Sequence, residues 1–384
     1  MVLMLPERPA SPAALAALIS AAADAGKTIA LGGAFTKNRM AGPACAEGVA
    51  ISTAGLQRVL QYDPRDLTIS VEAGLPFAEL DKLLAADGLM LPLDPPFFAA
   101  ATVGGVVAAN TSGPRRRQYG TARDLVIGME MATLEGKLIK TGGMVVKNAA
   151  GYDVGKLLVG SFGTLAAMTS VNFRLAPRPP HTRTFVLTYD SAAGAVAARD
   201  SVLRGVLQPV AMDILNPAAA ARLGRSGWLL VLQAGGTRAV LERYSRELPQ
   251  AATMEGPEED AWWVSVREFT PQFLAEYDSG AVVRVSGAMQ SAGAALGSTS
   301  APLVARAGSG VCYGYFEGGA AASDWLRELA RRGLKAVLEF RPESGCDGVE
   351  QWPDPGNDLA TMKAIKKLFD PRNLLNPGRL YGRL

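Results

Sequence analysis

The sequence is poor in histidine and cysteine, and this scarcity excludes several kinds of active site. Among 384 residues there is one histidine, His181, and there are three cysteines, Cys45, Cys312 and Cys346. A single imidazole argues against a histidine-rich metal site and against a histidine-dependent triad. The cysteines lie far apart without C-x-x-C spacing, so they cannot hold an iron–sulfur cluster, which takes about four thiolates in a local pattern. We expect reduced thiols, a cytoplasmic protein, and His181 as a surface residue of a linker.

An excess of charge and a long apolar run are also missing. Lys plus Arg exceeds Asp plus Glu by 39 − 36 = 3, which is too little to indicate nucleic-acid binding. No segment approaches the roughly 18 uninterrupted apolar residues of a membrane span, and residues 1–6 do not resemble a signal peptide. The densest positive run, residues 115–117, is expected to be a solvated loop, with partner docking or a phosphate contact as alternatives.

The length of the chain and the order of its predicted strands and helices indicate an α+β protein of more than one domain. At about 150 residues per domain the chain has room for two or three. We predict a first domain over residues 1–180, a smaller α+β cap domain over 181–345, and a C-terminal helix and tail over 346–384 that pack back onto the first domain.

Hydrophobic periodicity and capping signals predict most secondary-structure elements. In the first half we expect helices at 11–25 and 77–86, strands at 28–31, 66–74 and 165–175, and a hairpin over 126–140. Beyond residue 180 we expect strands at 184–189, 228–233, 282–285, 312–316 and 336–340, and helices at 192–207, 238–248, 323–332 and 358–369.

The candidate binding site consists of three glycine-bearing segments, over residues 32–38, 102–113 and 160–165. Each is expected to follow a strand, where converging backbone N–H groups can bind a phosphate. Glycine lets the main chain approach without a Cβ in the way, so that its amides can donate directly. Hydroxyl groups add donors at Thr36, Thr102, Ser112 and Thr164. The segments match neither the dinucleotide fingerprint nor the Walker loop, which argues against an NAD-dependent dehydrogenase.

Together these segments resemble the FAD-binding domain of the p-cresol methylhydroxylase/vanillyl-alcohol oxidase (PCMH-type) family over residues 1–180. Residues 370–378 resemble the family's C-terminal return onto that domain. The resemblance implies an oxidoreductase with FAD along the three segments. No histidine or cysteine lies in them, so we expect the flavin to be bound non-covalently. The implied cofactor-binding residues are Gly32, Gly33, Ala34, Phe35, Thr36, Lys37, Asn38, Pro95, Thr102, Val103, Gly104, Gly105, Asn110, Ser112, Gly113, Gly160, Gly163, Thr164 and Leu165.

Within the family, the segments 109–117, 146–153 and 158–165 resemble the second FAD-binding subunit of bacterial glycolate oxidases, the GlcE type. The resemblance implies a catalytic FAD subunit and an iron–sulfur subunit as partners, and a small 2-hydroxy acid as the substrate of the complex. The catalytic subunit usually carries Glu where this chain has Phe162. It also carries a histidine-rich motif that is missing here.

Several alternatives stay open. Arg284 and Arg341 are candidate carboxylate ligands for a self-sufficient hydroxy-acid oxidoreductase, or they form structural salt bridges. Tyr152 and Asp153 line the flavin or cap a helix, and Lys147 binds a phosphate or faces solvent. Asn376 begins a terminal turn or lies near the flavin. Besides an FAD-binding subunit and a self-sufficient enzyme, a third hypothesis is a structural subunit that has lost FAD. The retained glycines argue against it.

Overall fold

The computed structural model describes residues 5–42, 48–144, 154–342 and 350–384, and only the backbone of Arg383. The strands are β1 Ile29–Gly32, β2 Val49–Ser52, β3 Val59–Asp63, β4 Thr68–Glu72, β5 Leu89–Met90, β6 Val126–Ala132, β7 Leu138–Gly142, β8 Ala167–Arg174, β9 Ala176–Pro177, β10 His181–Tyr189, β11 Ala211–Leu215, β12 Trp228–Gly236, β13 Ala252–Met254, β14 Ala281–Ser286, β15 Leu303–Arg306, β16 Val311–Phe316 and β17 Ala336–Phe340. The helices are α1 Pro12–Asp24, α2 Phe77–Ala86, α3 Val103–Ala109, α4 Arg116–Tyr119, α5 Ala122–Leu125, α6 Gly155–Leu158, α7 Ala192–Arg204, α8 Pro217–Arg222, α9 Arg238–Glu247, α10 Pro257–Arg267, α11 Phe269–Glu276, α12 Met289–Leu296, α13 Gly319–Arg331, α14 Asp358–Phe369 and α15 Leu380–Arg383.

The chain forms two compact units, and the α+β prediction is confirmed. Unit 1 contains Met1–Ser112, Gly120–Arg178 and Asp354–Leu384, so the C-terminal segment belongs with the N-terminal half. Unit 2 contains Gly113–Tyr119 and Pro179–Pro353. Residues 113–119 are thus part of unit 2, although the sequence boundaries assign them to the first domain.

Unit 1 is built on a five-stranded antiparallel sheet in the order β3-β4-β8-β6-β7, with β1 and β2 as a separate parallel pair. The predicted helix 77–86 is confirmed as α2, and the hairpin as β6 and β7. One core joins the sheet to α2 and α3 through residues such as Leu80, Val106 and Val171. A second core lies between α1 and the β1–β2 pair, and Leu374 and Leu375 of the C-terminal segment complete it.

Helix α1 shows how local sequence starts these elements. Ser11 caps it by accepting a hydrogen bond from the amide of Ala14, and Pro12 occupies the first turn, where no N–H is needed. Leu15 and Ile19, four residues apart, are fully buried. The helix ends before Gly26, which has a φ of 66°.

Unit 2 is an eight-stranded antiparallel sheet in the order β13-β10-β12-β11-β15-β16-β14-β17. Alternate residues point to opposite faces, and one face packs on α7, α9, α12 and α13 in a single core. The sequence reading missed β11, β13, β15, α8, α10, α11 and α12. Strand β11 (Ala-Met-Asp-Ile-Leu) escapes because a fully buried strand lacks alternating polarity. No helix in the described part of the chain is long and apolar enough to cross a membrane.

Candidate functional site

The first glycine segment begins where β1 ends and leaves backbone donors open. Ile29 and Ala30 are buried, and the chain then turns through Gly33 toward Asn38. Among the described residues, the amides of 34–36 (Ala-Phe-Thr) donate to no protein acceptor. Open, consecutive amides of this kind form a concavity suited to an anion.

Phe35 gives this segment an unusual backbone. Its φ is 56°, in the left-handed region where a bulky residue is strained by about 1–3 kcal/mol. Its ring covers Gly32, because a Cβ built on Gly32 would lie 2.6 Å from Phe35 Cε1. Only glycine at position 32 therefore lets the Phe35 ring adopt this position.

The second segment is a helix start, so the expectation of a loop directly after a strand is wrong here. Thr102 caps α3, with its Oγ1 accepting from the amide of Gly105 at 3.3 Å. The amide of Val103 donates to Leu75 O at 2.9 Å, and that of Gly104 donates to Ala73 O at 2.7 Å. These amides are satisfied within the protein, and the expectation that they donate directly to a phosphate is not met.

The glycines around α3 serve close packing instead. A Cβ on Gly33 would lie 2.0 Å from Thr102 Oγ1, and one on Gly104 would lie 2.8 Å from Ala73 Cβ. Both distances are shorter than real Cβ contacts. Glycine at position 33 therefore lets the first segment rest against the α3 start, and glycine at position 104 lets α3 pack against Ala73. Asn110 ends α3 in the left-handed conformation, with φ 49°.

The third segment also fails to follow a strand, because it lies between α6 and β8. Its amides hold it against α3: Gly160 N donates to Val107 O at 3.1 Å, and Phe162 N donates to Ala108 O at 2.9 Å. Phe162 has a φ of 52°, a second strained phenylalanine. The three segments therefore meet at α3, although only the first one continues a strand.

A cavity of about 80 Å³ lies where the segments meet. The predicted site residues that line it are Gly32, Gly33, Ala34, Phe35, Thr36, Lys37, Asn38, Thr102, Gly104, Gly105 and Gly163. The lining residues that the sequence reading did not assign to the site are Leu31, Thr53, Ala108, Ala109, Phe162, Ala166, Met168 and Arg379. Ligand pockets usually measure about 300–1,000 Å³, so this cavity is smaller than a whole dinucleotide requires.

The remaining predicted site residues lie outside this lining. Pro95, Val103, Thr164 and Leu165 are buried in unit 1, with Val103 inside its core. Ser112 is buried, and its Oγ has no hydrogen-bond partner among the described residues. Asn110 is exposed, and Gly160 and Gly113 line no part of the cavity. Lys147, Tyr152, Asp153, Cys45 and Cys346 lie outside the described residues.

The C-terminal segment completes the site through Asn376 and Arg379. The Asn376 side chain accepts from Leu31 N at 2.8 Å and donates to Leu31 O at 2.9 Å and Phe162 O at 2.7 Å. It thereby joins the end of β1 to the third segment. Asparagine also tolerates the left-handed backbone found here, with φ 43°.

A buried ion pair anchors the turn that carries these residues. Lys366 Nζ donates to Asp370 Oδ2 at 2.7 Å, Thr164 O at 2.7 Å and Leu375 O at 2.9 Å. Asp370 also accepts from the amides of Leu374 and Leu375. Burial lowers the pKa of the Lys366 ammonium group, and Asp370 opposes this shift.

Arg379 is the functional candidate that the sequence reading missed. It is 6% exposed, and its Nη1 donates to the carbonyl oxygens of Lys37 and Met40. Its Nε has no hydrogen-bond partner among the described residues, and burial lowers the pKa of its guanidinium to about 10. The sequence signal was the Asn-Pro-Gly-Arg run, but a single arginine in a terminal turn usually faces solvent.

Unit 2 carries a separate group of charged side chains on the sheet face opposite its core. Arg306 pairs with Asp213, which is fully buried, and Arg284 Nε donates to Glu339 Oε1 at 2.9 Å. Of the two alternatives for Arg284, a ligand for a substrate carboxylate or a structural salt bridge, the structure shows the salt bridge. We define the polar cluster as Arg116, Asp213, Arg284, Arg306, Tyr313 and Glu339.

The other unit 2 candidates give no catalytic geometry. His181 is exposed at the start of β10. Arg341 follows β17 and is partly buried. Within the ranges that the structure describes, no three His, Cys, Asp or Glu side chains are grouped as metal ligands.

The residues in unit 1 fit the phosphate part of FAD. Three adjacent amides are open, and a buried guanidinium lines the same cavity without a carboxylate partner in the described chain. At Gly33 an added Cβ would collide with Thr102. The first segment and Arg379 would hold the pyrophosphate, and α3 and the third segment would support them.

Comparison with protein families agrees with this geometry. Residues 7–142 match a family described as FAD binding domain, and residues 354–380 match one described as FAD linked oxidases, C-terminal domain. The two matched regions lie in unit 1, and the second contains Lys366, Asp370, Asn376 and Arg379.

Two curated relatives are subunits of glycolate oxidase. Glycolate oxidase subunit GlcD of Bacillus subtilis is 24% identical over an alignment 367 residues long, which covers 85% of this chain and 78% of GlcD. Glycolate oxidase subunit GlcE of Escherichia coli is 42% identical over 122 residues, which are 32% of this chain and 35% of GlcE. The second match is stronger in identity but spans only about a third of either protein.

A solved structure shows the same fold over nearly the whole chain. The crystal structure of p-cresol methylhydroxylase with substrate bound superimposes with a TM-score of 0.72 at 16% identity, and the match covers 98% of this chain and 88% of that one. This likeness shows the fold, whereas the cofactor and the reaction class rest on the family matches and the curated relatives. The chain carries an FAD-binding domain of the PCMH-type FAD-linked oxidases, and it is an FAD-dependent oxidoreductase with homology to the glycolate oxidase subunits GlcD and GlcE.

Proposed function

We propose that the chain is a non-covalent FAD-binding subunit of a glycolate or related 2-hydroxy acid oxidase complex. In that complex it relays electrons or supports a catalytic flavin subunit, and an iron–sulfur subunit is the third partner. FAD, when bound, supplies the acceptor for electrons. The chain's own residues hold and orient it through the first segment, α3 and the C-terminal turn.

The observation that carries this proposal is that the candidate catalytic groups of unit 2 are either exposed or already paired with carboxylates. Oxidation of a 2-hydroxy acid requires a base for the hydroxyl proton and a cation for the carboxylate. The sequence's one imidazole, His181, is exposed at the start of β10. Arg284 and Arg306 already pair with carboxylates. A supporting or electron-relaying role requires neither group to be available.

The partner assignment rests on similarity to named subunits. Both curated relatives described above are called subunits of glycolate oxidase. The three cysteines of this sequence are too few and too scattered for an iron–sulfur cluster, so that cluster would belong to a partner.

Co-expression tests this proposal. The chain is purified alone and together with a catalytic flavin subunit and an iron–sulfur subunit, and glycolate-dependent dye reduction is measured per mole of flavin. We expect FAD in both preparations and turnover only in the complex. Turnover by the chain alone at the rate of the complex would contradict the proposal.

A self-sufficient hydroxy-acid oxidoreductase is the second candidate, and Arg116 favours it. In the polar cluster three guanidinium groups accompany two carboxylates, so one positive charge is unmatched. Burial lowers the pKa of Arg116, and the neighbouring Arg284 and Arg306 add to this effect. Burial raises the pKa of the Glu339 carboxyl, and the ion pair with Arg284 opposes this shift. If the isolated chain turns over, Arg116→Gln should raise KM for glycolate, and an unchanged KM would remove this candidate.

A further inference from the structure

Arg379 is a buried cation whose charge no neighbouring carboxylate balances. In the described parts of the chain it forms no ion pair, and desolvation is the only cause of its lowered pKa. Two other buried cations are paired with carboxylates, Lys366 with Asp370 and Arg306 with Asp213. An isolated charge is costly to bury, and proteins usually pair it or bind a counter-ion.

The surroundings of Arg379 fix where its guanidinium lies. Nη1 donates to Lys37 O at 3.5 Å, at the far end of the first segment, and to Met40 O, two residues beyond that segment. Asn376, three residues earlier, is fixed to Leu31 and Phe162. The guanidinium is therefore held against the segment whose 34–36 amides are open, and Arg379 lines the same cavity.

We propose that Arg379 binds the pyrophosphate of FAD, so that the C-terminal turn closes the phosphate site that the first segment begins. A diphosphate would supply the missing negative charge next to the guanidinium. Arginine suits this task because its planar N–H groups match phosphate oxygens. The inference rests on FAD binding alone and holds whether or not the chain belongs to a complex.

Binding of three probes to the full-length chain, stripped of flavin, tests the proposal. FAD contains both flavin and pyrophosphate, ADP contains the pyrophosphate without the flavin, and riboflavin contains the flavin without phosphate. The variants are Arg379→Gln, which removes the charge, and Arg379→Lys, which keeps it. The control is Arg372→Gln, because Arg372 is exposed on the same C-terminal segment. Affinities are measured by flavin fluorescence and by calorimetry.

We expect Arg379→Gln to weaken FAD and ADP by the same factor, about tenfold to hundredfold, as expected for a charge-assisted hydrogen bond. Riboflavin affinity should stay unchanged. Arg379→Lys should lie between wild type and Arg379→Gln, and Arg372→Gln should match wild type. Unchanged FAD affinity in Arg379→Gln, or equal losses for FAD and riboflavin, would overturn the proposal.

Unfolding of the flavin-free proteins separates binding from folding. Removing an unbalanced buried charge should leave the unfolding midpoint of Arg379→Gln equal to or above that of wild type, although FAD binding is weaker. A lower midpoint together with the loss of all three ligands would make Arg379 a structural residue and would overturn the assignment. Neither result depends on glycolate turnover, which tests the proposed function separately.

Discussion

At the scale of single residues, the glycines of the first segment matter because they allow the backbone to pack closely. Gly33 meets the cap of α3, where an added Cβ would lie 2.0 Å from Thr102 Oγ1. We predict that Gly33→Ala weakens FAD binding by about tenfold or more, because the segment must move away from α3 and the cap is disturbed. A fluorescence titration with FAD measures the change. Gly297→Ala is the control, since a Cβ there meets nothing within 4 Å, and equal affinities in the two variants would refute the packing argument.

Asn376 is predicted to contribute more to stability than a turn residue normally does. Asn376→Gly removes three buried hydrogen bonds but keeps a residue that accepts φ 43°. We expect the free energy of unfolding to fall by about 2–3 kcal/mol, at about 1 kcal/mol per bond. Asn373→Gly is a matched control, because Asn373 has φ 53° and an exposed side chain on the same segment. Urea denaturation compares them, and equal midpoints would show that the Asn376 bonds are unimportant.

At this scale, the importance of the glycines could be predicted from the sequence, whereas the importance of Arg379 could not. Glycine segments can be found because the residue type itself signals a close backbone approach. The importance of Arg379 lies in its burial and in the absence of a carboxylate beside it, and both depend on contacts with residues more than 300 positions away. The strained φ angles of Phe35 and Phe162 are hidden for the same reason, since phenylalanine does not indicate a left-handed backbone.

At the scale of elements, helix α14 carries the ion pair that anchors the C-terminal turn. We predict that Lys366→Met lowers the free energy of unfolding by about 3–5 kcal/mol, because Asp370 is left as a buried, unbalanced charge. Urea denaturation followed by circular dichroism measures the change. Lys367→Met on the same helix removes an exposed lysine and should change stability by less than about 0.5 kcal/mol. Similar losses in the two variants would contradict the role of the pair.

Elements with clear periodicity and caps were predictable, whereas those decided by packing were not. Helix α2 occupies the predicted range 77–86 because Leu80 and Leu84 form an apolar stripe. The prediction of a loop is wrong at helix α3, although Gly104 and Gly105 disfavour helix. Packing of Gly104 on Ala73 and the Thr102 cap outweigh that preference. In unit 2, β11 was not predicted, because the Asp213 carboxylate interrupts the apolar run of a fully buried strand.

At the scale of the whole molecule, unit 1 contains the residues that we propose bind the cofactor. Its first segment, α3 and the C-terminal turn come from distant parts of the sequence, and the two family matches at 7–142 and 354–380 correspond to them. Unit 2 contributes a sheet whose polar face has mostly paired charges. This division agrees with the proposed function, in which the chain binds FAD and a partner oxidises the hydroxy acid.

The most direct test of this account is the visible spectrum of the chain purified alone, recorded before and after anaerobic addition of glycolate or D-lactate. We predict a flavin spectrum that stays oxidised. We also predict release of the flavin into the supernatant when the protein is precipitated with acid, as the proposed non-covalent binding requires. Dithionite should bleach the same sample, as a control that the flavin can be reduced. Rapid bleaching by either hydroxy acid would contradict the account and make this chain the catalyst.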